Sequence, residues 1–188
     1  MKMKIVVARF NENVEWTTSF PNVLIYNKGD KLENNYNEIC LDNVGREGHT
    51  YYKYIYDNYD NLDDYTIFLQ GNPFSHFPNV KNELSKYINN SELNIDFEFL
   101  SDKILNCNLF GCFYYEDLPL IPVYEYLFNE KKVYLDFVFG RGGQFIVSKK
   151  KILQRPKEFY LKIIQILQYD INPIEGHVIE RFHKLIFS

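Results

Sequence analysis

The chain has 188 residues, 46% hydrophobic and 24% charged, which predicts one domain over 1–188 with a sizeable core. A net charge of −4 without a long basic run excludes an electrostatic nucleic-acid footprint, and three cysteines with no Cys-x-x-Cys pair argue against a disulfide framework or zinc knuckle. No apolar stretch nears the roughly 20 residues that span a bilayer, and no signal-peptide pattern opens the chain, so a soluble cytoplasmic protein is expected.

In chain order, Lys4-Ile5-Val6-Val7-Ala8 predicts a first strand over 5–8, which breaks into the polar cluster Arg9-Phe10-Asn11-Glu12-Asn13. Residues 13–18 begin a short helix, and 22–26 form a second strand ending at Asn27-Lys28-Gly29. A polar loop over 30–43 follows. From Gly45, a helix carries Tyr51, Tyr54, Ile55 and Asn58 at helical spacing. A turn cluster over 58–64 precedes a third strand, 65–69, which opens into Gln70-Gly71-Asn72-Pro73-Phe74-Ser75-His76. Strand, helix and strand in this order imply βαβ units and a mainly parallel sheet flanked by helices, an α/β fold. In such sheets ligands bind at the carboxyl ends of strands, so the polar tips mark a binding crevice.

The second half is less regular. Residues 95–100 read as a half-exposed strand, and 133–139 and 144–148 as strands bracketing Gly140-Arg141-Gly142-Gly143. Lys149-Lys150-Lys151 reads as a solvated turn. Pro156 opens a helix with the stripe Phe159, Tyr160, Ile163, Ile164 and Leu167. A last helix over 174–187 directs Val178, Phe182, Leu185 and Ile186 to the core. The excess of Tyr, Phe and Asn, with Ala8 the only alanine, fits an AT-rich genome, viral or cellular, so a single exposed Tyr is not a functional signal.

Four segments carry a resemblance: Val6-Val7-Ala8-Arg9-Phe10-Asn11-Glu12-Asn13, Asn43-Val44-Gly45-Arg46-Glu47-Gly48-His49-Thr50-Tyr51, Thr66-Ile67-Phe68-Leu69-Gln70-Gly71-Asn72-Pro73-Phe74, and Gly142-Gly143-Gln144-Phe145-Ile146-Val147-Ser148. In this order they resemble an uncharacterised family, a domain of unknown function found in bacteria, fungi and large viruses. More distantly, the segment order is similar to glycosyltransferases of the GT-A fold, whose nucleotide-binding half is Rossmann-like. That resemblance implies transfer of a sugar from a nucleotide sugar to a hydroxyl, on a glycan or another acceptor.

Residue by residue, the resemblance puts Phe10, Asn11 and Glu12 at the nucleotide base. It puts Gly142, Gly143 and Gln144 on the acceptor side and Glu175, in Pro173-Ile174-Glu175, in the place of the base. Where such enzymes carry an Asp-x-Asp motif for Mn²⁺ or Mg²⁺, this chain has Gln70-Gly71-Asn72, and neutral amides are weaker ligands for a hard cation. Either another group holds a metal, or Arg9, Lys28 and Arg46 neutralise the diphosphate without one, or catalysis is lost. The last case leaves a non-catalytic module that binds a nucleotide or glycan; a hydrolase of a phosphorylated sugar or nucleotide is a further alternative.

Charge must be stabilised on the leaving group, and a carboxylate suits the acceptor proton. Arg46, before a helix, is placed to meet an anion together with the positive helix end; the alternative is an ordinary surface arginine. Asp136 sits in an otherwise apolar strand and is a second candidate for base or metal ligand. His76 and His177, and less so His49, are candidate metal ligands or phosphate contacts; each alone is more often a packed or surface histidine. Glu180 and Arg181 read as a structural ion pair.

Overall fold

Alternation along the first strand requires a sheet covered on both faces. In the computed structural model, which describes residues 1–33, 35–112 and 117–188, β1 spans Met3–Arg9. Val6 joins one apolar cluster, while Ile5 and Val7 join another on the opposite face. β2 (Val23–Asn27) and β4 (Tyr65–Gln70) flank β1 in parallel, with Ile5 opposite both Val23 and Ile67. β3 (Glu38–Cys40) adds to β2 in parallel. Beyond β4 lie β9 (Phe145–Ser148) and then β5 (Phe97–Phe99), each antiparallel to its neighbour. The resulting six-stranded order is β3-β2-β1-β4-β9-β5.

The crossover between the strands at the centre is α1 (Arg46–Asn58), which buries Tyr51, Tyr52, Tyr54 and Ile55. α5 (Lys157–Leu167) and α6 (Ile174–Ile186) pack on the same face, and their apolar stripes join the cluster that holds Val6. α2 (Val80–Asn89) covers the other face through Val80, Leu84 and Tyr87, beside Trp16 from a 3-10 turn at Glu15–Ser19. A separate three-stranded sheet, in the order β7-β6-β8, is made of β6 (Ile104–Asn108), β7 (Gly111–Cys112) and β8 (Asp136–Gly140). α3 (Leu120–Phe128) contributes Leu120, Val123, Tyr124 and Leu127 to the first cluster.

Several expectations are corrected. The loop over 30–43 contains β3, a strand of three residues that its polar flanks disguise; Asn34 lies outside the described residues. The lysine run is the one-turn helix α4 (Lys149–Ile152), whose first turn is capped by the Ser148 hydroxyl accepting from the Lys151 amide. The strand expected over 133–139 begins only at Asp136 and belongs to the small sheet. Cys107 and Cys112, opposite each other across the β6–β7 hairpin, form a disulfide despite the odd cysteine count, leaving Cys40 free. Among the described residues no helix is long and apolar enough to cross a membrane.

Candidate functional site

β1 is where the sheet changes winding direction: the chain first steps outward to β2 and β3, then returns to lay β4 on the other side. Such a switch point opens a crevice outside the carboxyl ends of the strands. The registers put the three tips level there, with Arg9 opposite Asn27 and Ala8 opposite Gln70. A crevice of about 420 Å³ occupies this edge, lined among others by Phe10, Glu12, Lys28, Arg46, Gln70 and Asn72. Arg9 lines it too, as do Asn43 and Ser75. Glu47, in the first turn of α1, is a lining carboxylate that sequence reasoning missed.

The polar residues at the tips divide into ligand-facing groups and groups that hold the tips together. Arg9 is only 8% exposed, and its guanidinium donates to Glu12 O at 2.9 Å, Asn27 Oδ1 at 2.6 Å and Asp30 O at 2.7 Å. Asn11 accepts from the Asp30 amide at 2.8 Å and is not among the residues lining this crevice. Both residues therefore brace β1 against the β2 tip. Lys28 is held by the Val44 and Arg46 carbonyls at the start of α1, and burial lowers its pKa to about 8, partly offset by Glu47. Phe10 differs: its ring is 49% exposed at the crevice.

Arg46 has a left-handed backbone, φ 53°, a conformation that costs energy in a residue with a Cβ and collects at functional sites. Its guanidinium lies 2.9 Å from His177 Nε2 and 3.1 Å from Asn172 Oδ1. Burial, then Arg46 and Arg181, lower the His177 pKa to about 4. A third positive charge is a poor addition between two guanidiniums, so His177 does not suit a metal. His76 packs against the β8–β9 turn, where a Cβ on Gly142 would come within 2.5 Å of its ring. Burial and Arg141 lower its pKa, with Asp102 and Glu47 acting in the opposite direction. His49 is buried in α1, with its pKa lowered to about 4, chiefly by burial. Among the described residues no group of three or more His, Cys, Asp or Glu is placed to hold a metal ion.

At the β4 tip the amides of Gln70 and Asn72 face the crevice, and Glu12 lies over Gly71, where a Cβ would meet its Oε2 at 2.6 Å. That same Oε2 accepts from the Phe10 amide at 2.7 Å. At this tip two amides stand where paired carboxylates would be needed, and neutral amides are weaker ligands for a hard divalent cation; the other lining carboxylate is Glu47, on α1.

Five expected site residues stand elsewhere. Glu175 accepts from the Tyr169 hydroxyl at 2.6 Å and is not a crevice residue. Asp136 is exposed at the start of β8, accepts from Tyr134 at 2.7 Å and lines a different cavity, with Phe137 and Lys184. Gln144 is fully buried: its Oε1 accepts from the Gln70 amide at 3.3 Å and its Nε2 donates to Pro73 O at 3.2 Å, so it fixes the β4 tip and cannot touch an acceptor. Gly142 and Gly143 have positive φ, 91° and 64°, and bring the β8–β9 turn against α6, where Gly142 donates its amide to Glu180 Oε1 at 2.9 Å.

Fold and site together define an α/β protein with a polar crevice at the switch point of its sheet. The chain matches, over residues 5–97, a family described as Protein of unknown function (DUF3431). The matched stretch carries every lining residue named above, from Arg9 to Ser75, and stops before β8, β9 and α6. No curated protein and no solved structure matches the chain.

Proposed function

We propose that the crevice binds a nucleotide sugar and that the protein is a glycosyltransferase of GT-A type, delivering the sugar to a hydroxyl of a glycan or another acceptor. The observation that carries this reading is the convergence of an exposed aromatic ring, two cations and a helix start on the carboxyl edge of β1, β2 and β4. Phe10 offers a face for the base. Lys28, Arg46 and the start of α1 meet the diphosphate and neutralise the charge that grows on it as it leaves. Gln70, Asn72 and Ser75 offer hydrogen bonds to sugar hydroxyls. Because amides stand at the β4 tip in place of an Asp-x-Asp pair, binding is expected without a metal.

A thermal-shift series with uridine, guanosine and cytidine diphosphate sugars, with Mn²⁺ or with chelator, tests this reading. A ligand bound only by the native state stabilises by about 2.7 kcal/mol at 100 times its Kd. The expected result is a concentration-dependent rise that survives the chelator, with release of nucleoside diphosphate on adding an acceptor. No shift with any nucleotide or nucleotide sugar overturns the proposal. A shift without release from any donor favours a non-catalytic binding module, the reading suggested by the position of Glu175 and Asp136 away from the crevice.

A further inference from the structure

Two glutamate side chains from distant parts of the chain approach the same glycine behind the crevice. Glu47 belongs to the first turn of α1 and lines the crevice, whereas Glu180 lies on α6 behind it. Both face the Cα of Gly143: a Cβ there would lie 3.5 Å from Glu47 Oε1, 3.3 Å from Glu180 Cγ and 3.4 Å from His183 Nε2. Their side chains are 13% and 12% exposed. The His183 ring, 1% exposed, turns Nδ1 to the Tyr52 hydroxyl at 2.8 Å, and its Nε2 has no partner among the described residues. The Tyr51 hydroxyl, fully buried on α1, is likewise without a partner and feels the charge of Glu47, Glu180 and Glu12.

We propose that Glu47 is the general base of the crevice and that Glu180, buried behind it, is its coupled partner, the two forming a carboxylate pair of which only Glu47 is open to the ligand. Two glutamates that approach one glycine with so little access to water raise the cost of each other's charge. Other charges act on them as well. Arg181 on α6 lies 3.5 Å from Glu180 Oε2, and Arg46 on α1 lies 3.7 Å from Glu47 Oε2. Lys28 at the β2 tip acts on Glu47. Burial and then Glu47 raise the Glu180 pKa; Arg181, the Gly142 amide and Arg46 oppose them without reversing the direction. The asymmetry assigns the roles, since only Glu47 reaches the crevice.

The acceptor class, a hydroxyl, rests on the sugar-transfer reading. In that reaction the acceptor O–H proton passes to Glu47. The freed oxygen pair forms the bond to the anomeric carbon, and the carbon–oxygen bond to the diphosphate breaks with its electron pair on the diphosphate. Glu47 then returns its proton to water at the crevice mouth.

The test is a carbon-detected NMR titration of the full chain labelled at glutamate carboxyls, assigned through Glu47→Gln, Glu47→Asp and Glu180→Gln. The expected result is one carboxyl titrating above the ordinary range, absent in Glu180→Gln and moved down in Glu47→Gln, where the like charge is gone. Should Glu180→Gln fail to fold, the two Glu47 variants read the same coupling from the crevice side. Independent titration of both groups in the ordinary range overturns the pair, whatever the protein transfers. With a donor that the wild type turns over, Glu47→Gln should keep donor affinity and lose about 10²–10⁴-fold in kcat, and Glu180→Gln should displace the acid limb of the kcat profile. Full activity of Glu47→Gln overturns its role as base. Coupled titration in a protein that turns over no nucleotide sugar supports the pair and removes the transfer reading instead.

Discussion

At single residues, the useful distinction is between polar groups that hold the strand tips and groups left open to a ligand. Arg9 and Phe10 are neighbours in sequence and opposite in this respect. Replacing Arg9 with Ala takes the guanidinium away from three acceptors; Asn27 Oδ1 keeps the Gly29 amide and Asp30 O keeps Asn27 Nδ2, while Glu12 O loses its donor. An acceptor left unpaired costs about 1–3 kcal/mol, so urea denaturation should show a loss of about that size. Phe10→Ala removes a half-exposed ring and should leave the urea midpoint nearly unchanged. It should weaken nucleotide binding by about 1–3 kcal/mol, the usual scale of base–aromatic stacking. Calorimetry that finds equal affinity for wild type and Phe10→Ala removes the ring from the base site. None of this contrast was legible in the sequence, because a strand-tip arginine reads the same whether it meets carbonyls or phosphate. Glu47 was hidden for a related reason: an acidic residue in a first helical turn is explained by the helix dipole alone.

At the level of elements, the crevice depends on how closely the β1 and β2 tips approach. Gly29 makes this approach possible: a Cβ there would lie 1.5 Å from the Phe10 carbonyl oxygen and 2.2 Å from Asn11 Oδ1. No side-chain rotation relieves a clash with backbone. Gly29→Ala should therefore destabilise on the order of 3 kcal/mol and also lower ligand affinity, because the tips must part. A variant with wild-type stability would mean the tips are not held in this register. The strands β1, β2 and β4 and the helices α1, α5 and α6 were legible because each has a strong apolar period of its own. β3 and β7 have two or three residues and no period to read. β9 reads as a strand, but nothing local says that it enters antiparallel between β4 and β5. Asp136 looked like a buried carboxylate because its apolar neighbours pack inward from the small sheet while it stands at the exposed strand end.

Across the whole molecule, three histidines are folded in neutral form around the α1–α6 contact. Burial lowers the pKa of His183 from 6.5 to about 3; His49 and His177 fall to about 4, with burial the first cause in each. The unfolded chain binds protons on these groups once the pH drops below 6.5, while the folded chain does not until much lower pH. Between those limits the unfolded state holds more protons, so stability rises with pH and is lost on acidification. For His183, buried with no water access, the loss by pH 5 is about 2 kcal/mol, at about 1.4 kcal/mol per unit below 6.5. Glu180 acts in the opposite sense, since its raised pKa lets the folded state hold a proton that the unfolded chain has released above the ordinary carboxylate range. The histidines outnumber it, so the net slope should favour neutral pH. Urea denaturation at pH 7 and pH 5 should show a marked drop for the wild type. His183→Gln keeps a polar group toward Tyr52 and removes the titration; it should start lower at pH 7 and fall less steeply. A slope identical to wild type in that variant would show that His183 binds its proton in the folded protein as readily as in the unfolded chain, and below its ordinary pKa the Glu47–Glu180 pair beside it would then have a cation for a neighbour instead of a neutral ring.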